Sequence, residues 1–323
     1  NDDARRMLRM RGDAVAAVRE GLRARGYLEV ETPMLQPVHG GATARPFTTR
    51  MNAHNMRLYL RIAPELYLKR LLVGGVGRVF ELNRNFRNEG VSPRHNPEFT
   101  MLEAYEPYGD YDTMAELTRS LVADAARAAL GTTVVVRDGV EHDLAEPWRE
   151  ITVYGSVSEA LGEEITPDTP LPDVRSFAGS LGLNLDPRWG QGRIVQELFE
   201  TLVESRLSAP TFVRDYPAET SPLTRPHRAD PRLAEKWDLI VFGLELGTAY
   251  SELTDPVLQR ERLVEQSLRA AGGDPEAMEL DEDFLRALEC AMPPAGGMGM
   301  GIDRLMMTLT GRGIRETIPF PLV

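Results

Sequence analysis

The alternation of apolar and polar positions divides the chain into helical and extended stretches. Residues 3–25 predict a helix whose apolar face carries Leu8, Val15, Val18 and Leu22. Gly26 stops it, and Tyr27 to Pro33 reads as a short strand. A strand ending in proline belongs at a sheet border or an interface. Residues 77–106 predict a long antiparallel hairpin with a loop from Gly90 to Pro97. Side chains alternate along a strand, so Glu81, Asn83, Asn85, Arg87 and Glu89 share one face. Phe99, Met101, Glu103 and Tyr105 share one on the returning strand. A charged face of this kind is either solvated or the wall of a site.

Over 145–205 the pattern changes. Pro167, Pro170 and Pro172 interrupt it, and Ile194, Leu198 and Leu202 then fall on one side of a helix. An inserted helical subdomain is expected there. From Asp238 to Leu253 the chain is again extended, turning near Gly243 and Gly247, with Thr248, Tyr250 and Glu252 on one face. A capped helix follows from Asp281, with Phe284, Leu288 and Met292 aligned. The glycine-rich run Gly296 to Gly301 leads into a final helix striped by Ile302, Leu305, Met306 and Leu309.

With 323 residues, 42% of them hydrophobic, the chain can bury one large core and a smaller unit beside it. No apolar run approaches the roughly 20 residues of a membrane span, and no signal peptide is evident, so direct membrane insertion is not expected. Cys290 is the sole cysteine, which excludes an internal disulfide and a zinc–thiolate cluster and fits a reducing cytoplasm. A net charge of −12 argues against non-specific nucleic-acid binding as the main task, while leaving room for a local basic patch that docks one RNA.

Candidate chemistry lies in the arginines, the glycines and the later carboxylates. Taken alone, the glycine run fits neither a dinucleotide fingerprint nor a phosphate loop. Asp303-Arg304 at the start of the following helix adds a fixed cation beside a positive dipole end, which suits a polyphosphate. The hairpin supplies Arg87, and its loop Arg94 beside His95. In adenylyl transfer negative charge builds on the α-phosphate, so a positioned guanidinium is the natural catalyst, and a carboxylate nucleophile needs little proton chemistry. Glu245 and Glu252, with Asp238 at the head of the same hairpin, suit Mg²⁺ alongside substrate phosphates. Surface charge on an edge strand is the simpler reading of those acids in isolation.

Several ordered motifs carry a family resemblance. Gly40-Gly41-Ala42-Thr43-Ala44-Arg45-Pro46-Phe47, Leu60-Arg61-Ile62-Ala63-Pro64-Glu65-Leu66, Phe86-Arg87-Asn88-Glu89-Gly90 and Arg94-His95-Asn96-Pro97-Glu98-Phe99-Thr100 resemble class II lysyl-tRNA synthetases. So do Tyr250-Ser251-Glu252-Leu253 and Gly299-Met300-Gly301-Ile302-Asp303-Arg304. Leu246 to Tyr250 and Ile314 to Pro321 are similar to the actinobacterial form, in which this domain is often fused to a lysyl-phosphatidylglycerol synthase.

The resemblance implies an α+β fold over residues 1–323: an antiparallel sheet flanked by helices, with a helical insertion. It implies a homodimer formed through the 3–35 segment. The implied reaction joins lysine and ATP into lysyl-adenylate, which is then passed to tRNA(Lys). By the same resemblance Arg87 holds the α-phosphate and the lysine carboxylate, Arg94 and Arg304 reach the γ-phosphate, and Phe99 stacks on adenine with His95 and Glu89 nearby. Gly41 and Glu65 receive the α-amino group, and Glu103, Tyr105 and Glu252 hold the ε-ammonium. Thr248 and Tyr250 complete the lysine site, and Glu245, Glu252 and Asp238 carry Mg²⁺.

Two positions depart from the family. Thr248 stands where Asn is usual, and Asp238 where Glu is common. In the family an anticodon-reading β-barrel precedes this domain and the present sequence starts after that point, so weak charging of tRNA(Lys) by this chain alone is expected. Two other readings compete: a ligase that places lysine on a protein acceptor, and an inactive synthetase-like binding domain.

Overall fold

A computed structural model describes residues 2–321. Its first helix, α1 (Asp2–Ala24), buries Met7, Ala14, Val18 and Leu22, whereas Leu8 is exposed. Val18 and Leu22 of the predicted face are thus buried and Val15 packs against the core, while Met7 takes the inward place expected of Leu8. Arg11 lies in the buried stripe and is paired with Asp303 at 2.6 Å, so a charged position forms part of the packing surface. Gly26, with φ 79°, ends the turn, and only Leu28–Glu29 (β1) of the next stretch forms a strand, at the border of the main sheet. β2 (Leu35–Gln36), β3 (Thr48–Met51) and β4 (Met56–Leu60) make a small separate sheet, and α2 (Glu65–Val73) follows.

The predicted hairpin is β5 (Val79–Phe86) and β6 (Glu98–Pro107). Glu81 faces Glu103, Asn83 faces Met101 and Asn85 faces Phe99, so the odd positions of both strands share one side of the sheet. Glu81, Asn83, Asn85 and Glu103 are buried, which makes that side an enclosed wall rather than a solvated one. α3 (Tyr111–Leu130) starts at a capping box of Asp110 and Thr113 and stops at Gly131, which adopts φ 76°. β7 (Val134–Arg137) and β8 (Val140–Asp143) form a hairpin of their own.

The 145–205 segment opens with a strand the sequence reading missed. β9 (Arg149–Thr152) adds to the far edge of the main sheet before α4 (Val153–Leu161), α5 (Leu171–Ser180) and α6 (Gln191–Leu202) pack together. Four residues with Ile151 as the sole apolar one give too short a pattern to separate from loop. Ile194 and Leu198 are buried on α6, as predicted. The remaining elements are β10 (Thr211–Pro217), β11 (Leu233–Val241), β12 (Leu244–Ser251), α7 (Pro256–Ala271), α8 (Glu282–Glu289), β13 (Ala295–Gly301), α9 (Ile302–Thr310) and α10 (Ile314–Thr317). The glycine-rich run is thus a strand, and α9 is followed by one further helical turn.

The eight main strands run in the order β1-β5-β6-β13-β12-β11-β10-β9, antiparallel except at the two outer pairs. α1, α3 and α9 cover one face, burying Phe80, Leu102, Trp237, Ala249, Met298 and Met300. Helices α4 and α6 pack against Val213, Tyr216 and Ile240, and α2 and α8 cover a third cluster around Leu68 and Phe284. No helix among the described residues is long and apolar enough to cross a membrane.

One buried ion pair fastens the small sheet to the hairpin. Arg61 Nη1 lies 2.7 Å from Glu81 Oε1, with both side chains almost fully enclosed. Arg61 also donates to the carbonyls of Arg84 and Thr32, and the Thr32 hydroxyl donates to Glu81 at 2.6 Å. Removing one partner leaves a buried charge alone. Arg61→Met is expected to lower unfolding free energy by about 3–5 kcal/mol. Arg61→Met with Glu81→Leu should recover most of the loss, which equilibrium denaturation of both variants measures.

Candidate active site

Along a regular strand Glu245 and Glu252 would point to opposite sides, because they lie an odd number of residues apart. The structure resolves this with a bulge. Gly247 pairs with Leu239 and Glu245 with Ile240, so Leu246 is an extra residue in β12. Leu246 and Ala249 consequently face the helix-covered core. Glu245, Thr248 and Tyr250 line the opposite side. The turn is Phe242-Gly243, with φ 55° and 69°, the mirror-image geometry of a tight hairpin. Gly247 is therefore not a turn residue. A β-carbon there would come within 2.7 Å of the Gly299 carbonyl, so the position needs glycine for close strand approach.

Two adjoining cavities occupy this side of the sheet. The larger, about 320 Å³, is bounded by Arg87, Arg94, His95, Phe99, Glu245 and Arg304 among others. The smaller, about 200 Å³, is bounded by Gly41, Glu65, Glu103, Tyr105, Lys236 and Tyr250 among others. Arg87, Glu245 and Thr248 border both, so the two form one continuous site.

In the larger cavity the Arg87 guanidinium lies over the Phe99 ring, 5.1 Å from its centroid. Its Nε is buried and has no hydrogen-bond partner among the described residues. Burial makes its charge costly and pulls its pKa down, so an anion placed against it is strongly favoured. Arg304, in the first turn of α9, donates to the Glu245 carbonyl at 2.7 Å and meets His95 Nε2 at 3.3 Å. His95 Nδ1 is 2.8 Å from the Ser92 hydroxyl, and burial followed by the nearby Arg304 charge lowers its pKa, so the ring is neutral. Arg94 reaches the Gly243 carbonyl at 3.3 Å, and Glu89 accepts from the Arg45 amide at 3.4 Å.

The smaller cavity is acidic. Tyr105 donates to Glu103 at 3.2 Å, and burial followed by the Glu65 charge pushes Glu103 well above the usual carboxylate range. Glu65 and Glu252 share a single partner, Lys69, at 2.6 and 2.5 Å. Gly41, at φ 85°, lies against Ala63 and Glu65, where a β-carbon would be 3.0 Å from Glu65 Cβ. The cavity floor is β13. A side chain on Gly297 would overlap Glu252 and the Tyr105 ring, and one on Gly299 would come within 3.2 Å of Met101.

Residues 1–323 match the family model of class II tRNA synthetases (D, K and N). The chain belongs to that family. It is 60% identical to the lysylphosphatidylglycerol biosynthesis bifunctional protein LysX of Mycolicibacterium vanbaalenii, over all of this chain and 30% of that protein. It is also 60% identical to a lysine–tRNA ligase of Kineococcus radiotolerans, over 99% of this chain and 64% of that protein. The bifunctional LysX of Nocardia farcinica is 57% identical, over all of this chain and 29% of its own length. The chain thus spans about a third of the bifunctional relatives and just under two thirds of the ligase.

Within this class II frame the sequence-derived residues gather in two groups, with Asp238 and Glu252 in neither lining. Arg87, Glu89, Arg94, His95, Phe99 and Arg304 line the larger cavity. Gly41, Glu65, Glu103, Tyr105, Thr248 and Tyr250 line the smaller. Glu252 is misplaced for a metal ligand. It lies near the end of β12 remote from Glu245, roughly 20 Å away at about 3.3 Å per strand residue, and its carboxylate is bound to Lys69. One ion cannot bridge the two. Asp238 is better placed for Glu245, on the neighbouring strand opposite Thr248. Its Oδ1 is buried without a partner among the described residues, and Oδ2 is 3.1 Å from Lys236. Burial and the charges of Glu245, Glu200 and Asp238 lift Glu204 to about 7, which marks the same corner as strongly anionic. Such a donor set fits a hard divalent cation that takes its other ligands from phosphate and water.

Lys69, Lys236 and Glu204 were not found from sequence. Lys236 precedes Asp238 by two residues on the same strand face, a parity signal legible in the sequence. Lys69 follows Glu65 by one helical turn, the spacing of an ordinary surface pair, and only the fold shows it to be enclosed. Thr248 uses its hydroxyl on the Trp237 carbonyl at 3.2 Å. Gly297→Ala is expected to fill the floor of the smaller cavity and weaken amino-acid binding by about tenfold or more, with nucleotide affinity within about twofold. Calorimetric titration with each ligand checks both.

Proposed function

We propose that this chain activates lysine with ATP and Mg²⁺, forming lysyl-adenylate and pyrophosphate, and passes the lysyl group to tRNA(Lys). It would do so as the catalytic part of a lysine–tRNA ligase or of a bifunctional protein that forms lysyl-phosphatidylglycerol. The observation that carries this reading is a carboxylate-lined cavity opening directly onto an arginine-lined one, with Arg87 at the junction. The family covers three amino-acid types. Aspartate would bring a second carboxylate towards Glu65 and Glu103, and asparagine only a neutral amide. Lysine brings an ammonium, which a buried carboxylate requires.

Arg87 would hold the lysine carboxylate and the α-phosphate in line and neutralise the charge that builds there. Because the attacking group is already ionised, no side chain has to take its proton. Arg94 and Arg304 hold the distal phosphates that leave as pyrophosphate, and Phe99 with neutral His95 receives the base. Glu65 and the Gly41 backbone take the α-ammonium, and Glu103, Tyr105 and Glu252 the ε-ammonium. Asp238 and Glu245 would hold Mg²⁺, which supplies further neutralisation of phosphate charge. Exposed Leu28, Met34, Leu35 and Met56 on β1, β2 and β4 and their connections support a homodimer through this region. The single exposed cysteine supports a cytoplasmic setting.

Lysine-dependent exchange between ATP and pyrophosphate, without tRNA, is the direct test. Absence of exchange in folded protein at saturating Mg²⁺ would overturn the activity and leave a binding domain. Glu103→Gln keeps the shape but removes the charge, and should weaken lysine binding by roughly a hundredfold or more, from about 3–5 kcal/mol, with little change for ATP. The pH dependence has a defined sign. Burial raises the Glu103 pKa, so the carboxyl is protonated at low pH and must ionise to meet the ammonium. Lysine affinity should therefore rise with pH, with about one proton released on binding. Titration in buffers of different ionisation enthalpy would expose the opposite slope or proton uptake.

A further inference from the structure

Lys69 is the one fully enclosed cation among the described residues that stands in direct contact with the acidic cavity wall. Its side chain is 0% exposed, and those of Glu65 and Glu252 are 7% and 1% exposed. The ammonium donates to Glu65 Oε1 at 2.6 Å and to the Leu223 carbonyl at 3.5 Å, and it is ion-paired with Glu252 Oε2 at 2.5 Å. Each carboxylate therefore spends one oxygen on Lys69 and keeps the other. Glu252 Oε1 lies against the Gly297 floor position, and Glu65 borders the cavity itself.

The charge count matters. Glu65, Glu103 and Glu252 would together carry three negative charges in this corner. Free lysine brings two ammonium groups to it, its carboxylate being directed to Arg87. A fixed cation on the wall reduces three to two. We propose that Lys69 is a positioning and specificity residue, a built-in counter-ion that turns one oxygen of Glu65 and one of Glu252 towards the amino acid and matches the site's charge to a substrate with two ammonium groups. The inference rests on the lysine-activating reading above. The groups facing this cluster are Glu65 from α2, Glu103 and Tyr105 from β6 and Tyr250 and Glu252 from β12, with Glu81 and Arg87 acting on Glu103.

The test uses pyrophosphate exchange by the full chain. Exchange must first be seen in the parent, since its absence would defeat the lysine reading and not the role of Lys69. Lys69→Met removes the charge, and Lys69→Gln removes it while keeping a donor. Both are expected to raise the KM for lysine at least about tenfold with the KM for ATP within about twofold. They should also move the rising limb of kcat/KM for lysine to higher pH, because carboxylates without their cation ionise later. A merely structural role would lower activity with no shift of that limb, and unchanged KM and pH profile in a folded variant would overturn the proposal. If neither variant folds, proton counting in the parent decides. Burial raises the pKa of Glu65 and of Glu252, and the Lys69 charge is what opposes that rise. If Lys69 acts as their counter-ion, lysine binding at pH 7 releases no more than one proton, from Glu103. Release of two or more would mean that Lys69 does not act as their counter-ion.

Discussion

The site depends on a strand that has almost nothing to place in it. β13 lies between β6 and β12, and on its cavity-facing side it presents Gly297 and Gly299, while Met298 and Met300 fill the core behind. Tyr105 and Tyr250 flank Gly297, and Glu103 and Thr248 flank Gly299. Side chains from strands on either side can therefore converge over a bare backbone. Glycine in a strand interior is conformationally costly and normally weakens a sheet. Here the neighbouring ladders and the methionines beneath offset that cost, and the space above the glycines becomes the binding volume.

The second constraint is electrostatic. Three carboxylates enclosed within one small region repel each other and lose hydration, and such a group is stable only with cations or protons to answer it. Lys69 answers two of the three from within the wall, and Tyr105 gives the third a hydrogen bond but no charge. The larger cavity has the opposite imbalance, with the Arg87 Nε buried and without a hydrogen-bond partner among the described residues. A zwitterionic substrate with an additional ammonium would relieve both imbalances at once, with its carboxylate end at the junction.

Much of this was legible before any coordinates. Strand parity placed Phe99, Glu103 and Tyr105 on one face, and the opposing register of Glu81, Asn83 and Asn85 extended it into a wall. Where periodicity failed, the reasons are local. The bulge at Leu246 changes parity within a single strand, and no pattern of two or three residues announces it. The Glu252 assignment to the metal followed from sequence proximity to Glu245, which a strand converts into distance. Arg11 gave no sign of being enclosed in α1 because its partner Asp303 comes from the other end of the chain. The Glu65–Lys69 spacing carries no sign of enclosure for the same reason: burial is a property of the whole fold, and the two acids that hold Lys69 are far apart in sequence.

The packing of α4 and α6 bears on how freely this segment could be exchanged. These helices do not sit on the sheet as an appended module. They complete a cluster that includes Val213, Tyr216 and Ile240, which belong to β10 and β11, while β9 closes the sheet edge beside β10. Their last turn leads to Glu204, which stands against Asp238 and Glu245. The segment is therefore both cladding for the sheet and part of the anionic corner. A shortened or transplanted version would have to reproduce its footprint on those strands as well as its own helices, so a change in its length disturbs the sheet least in the connections between helices, such as the proline-punctuated stretch before α5.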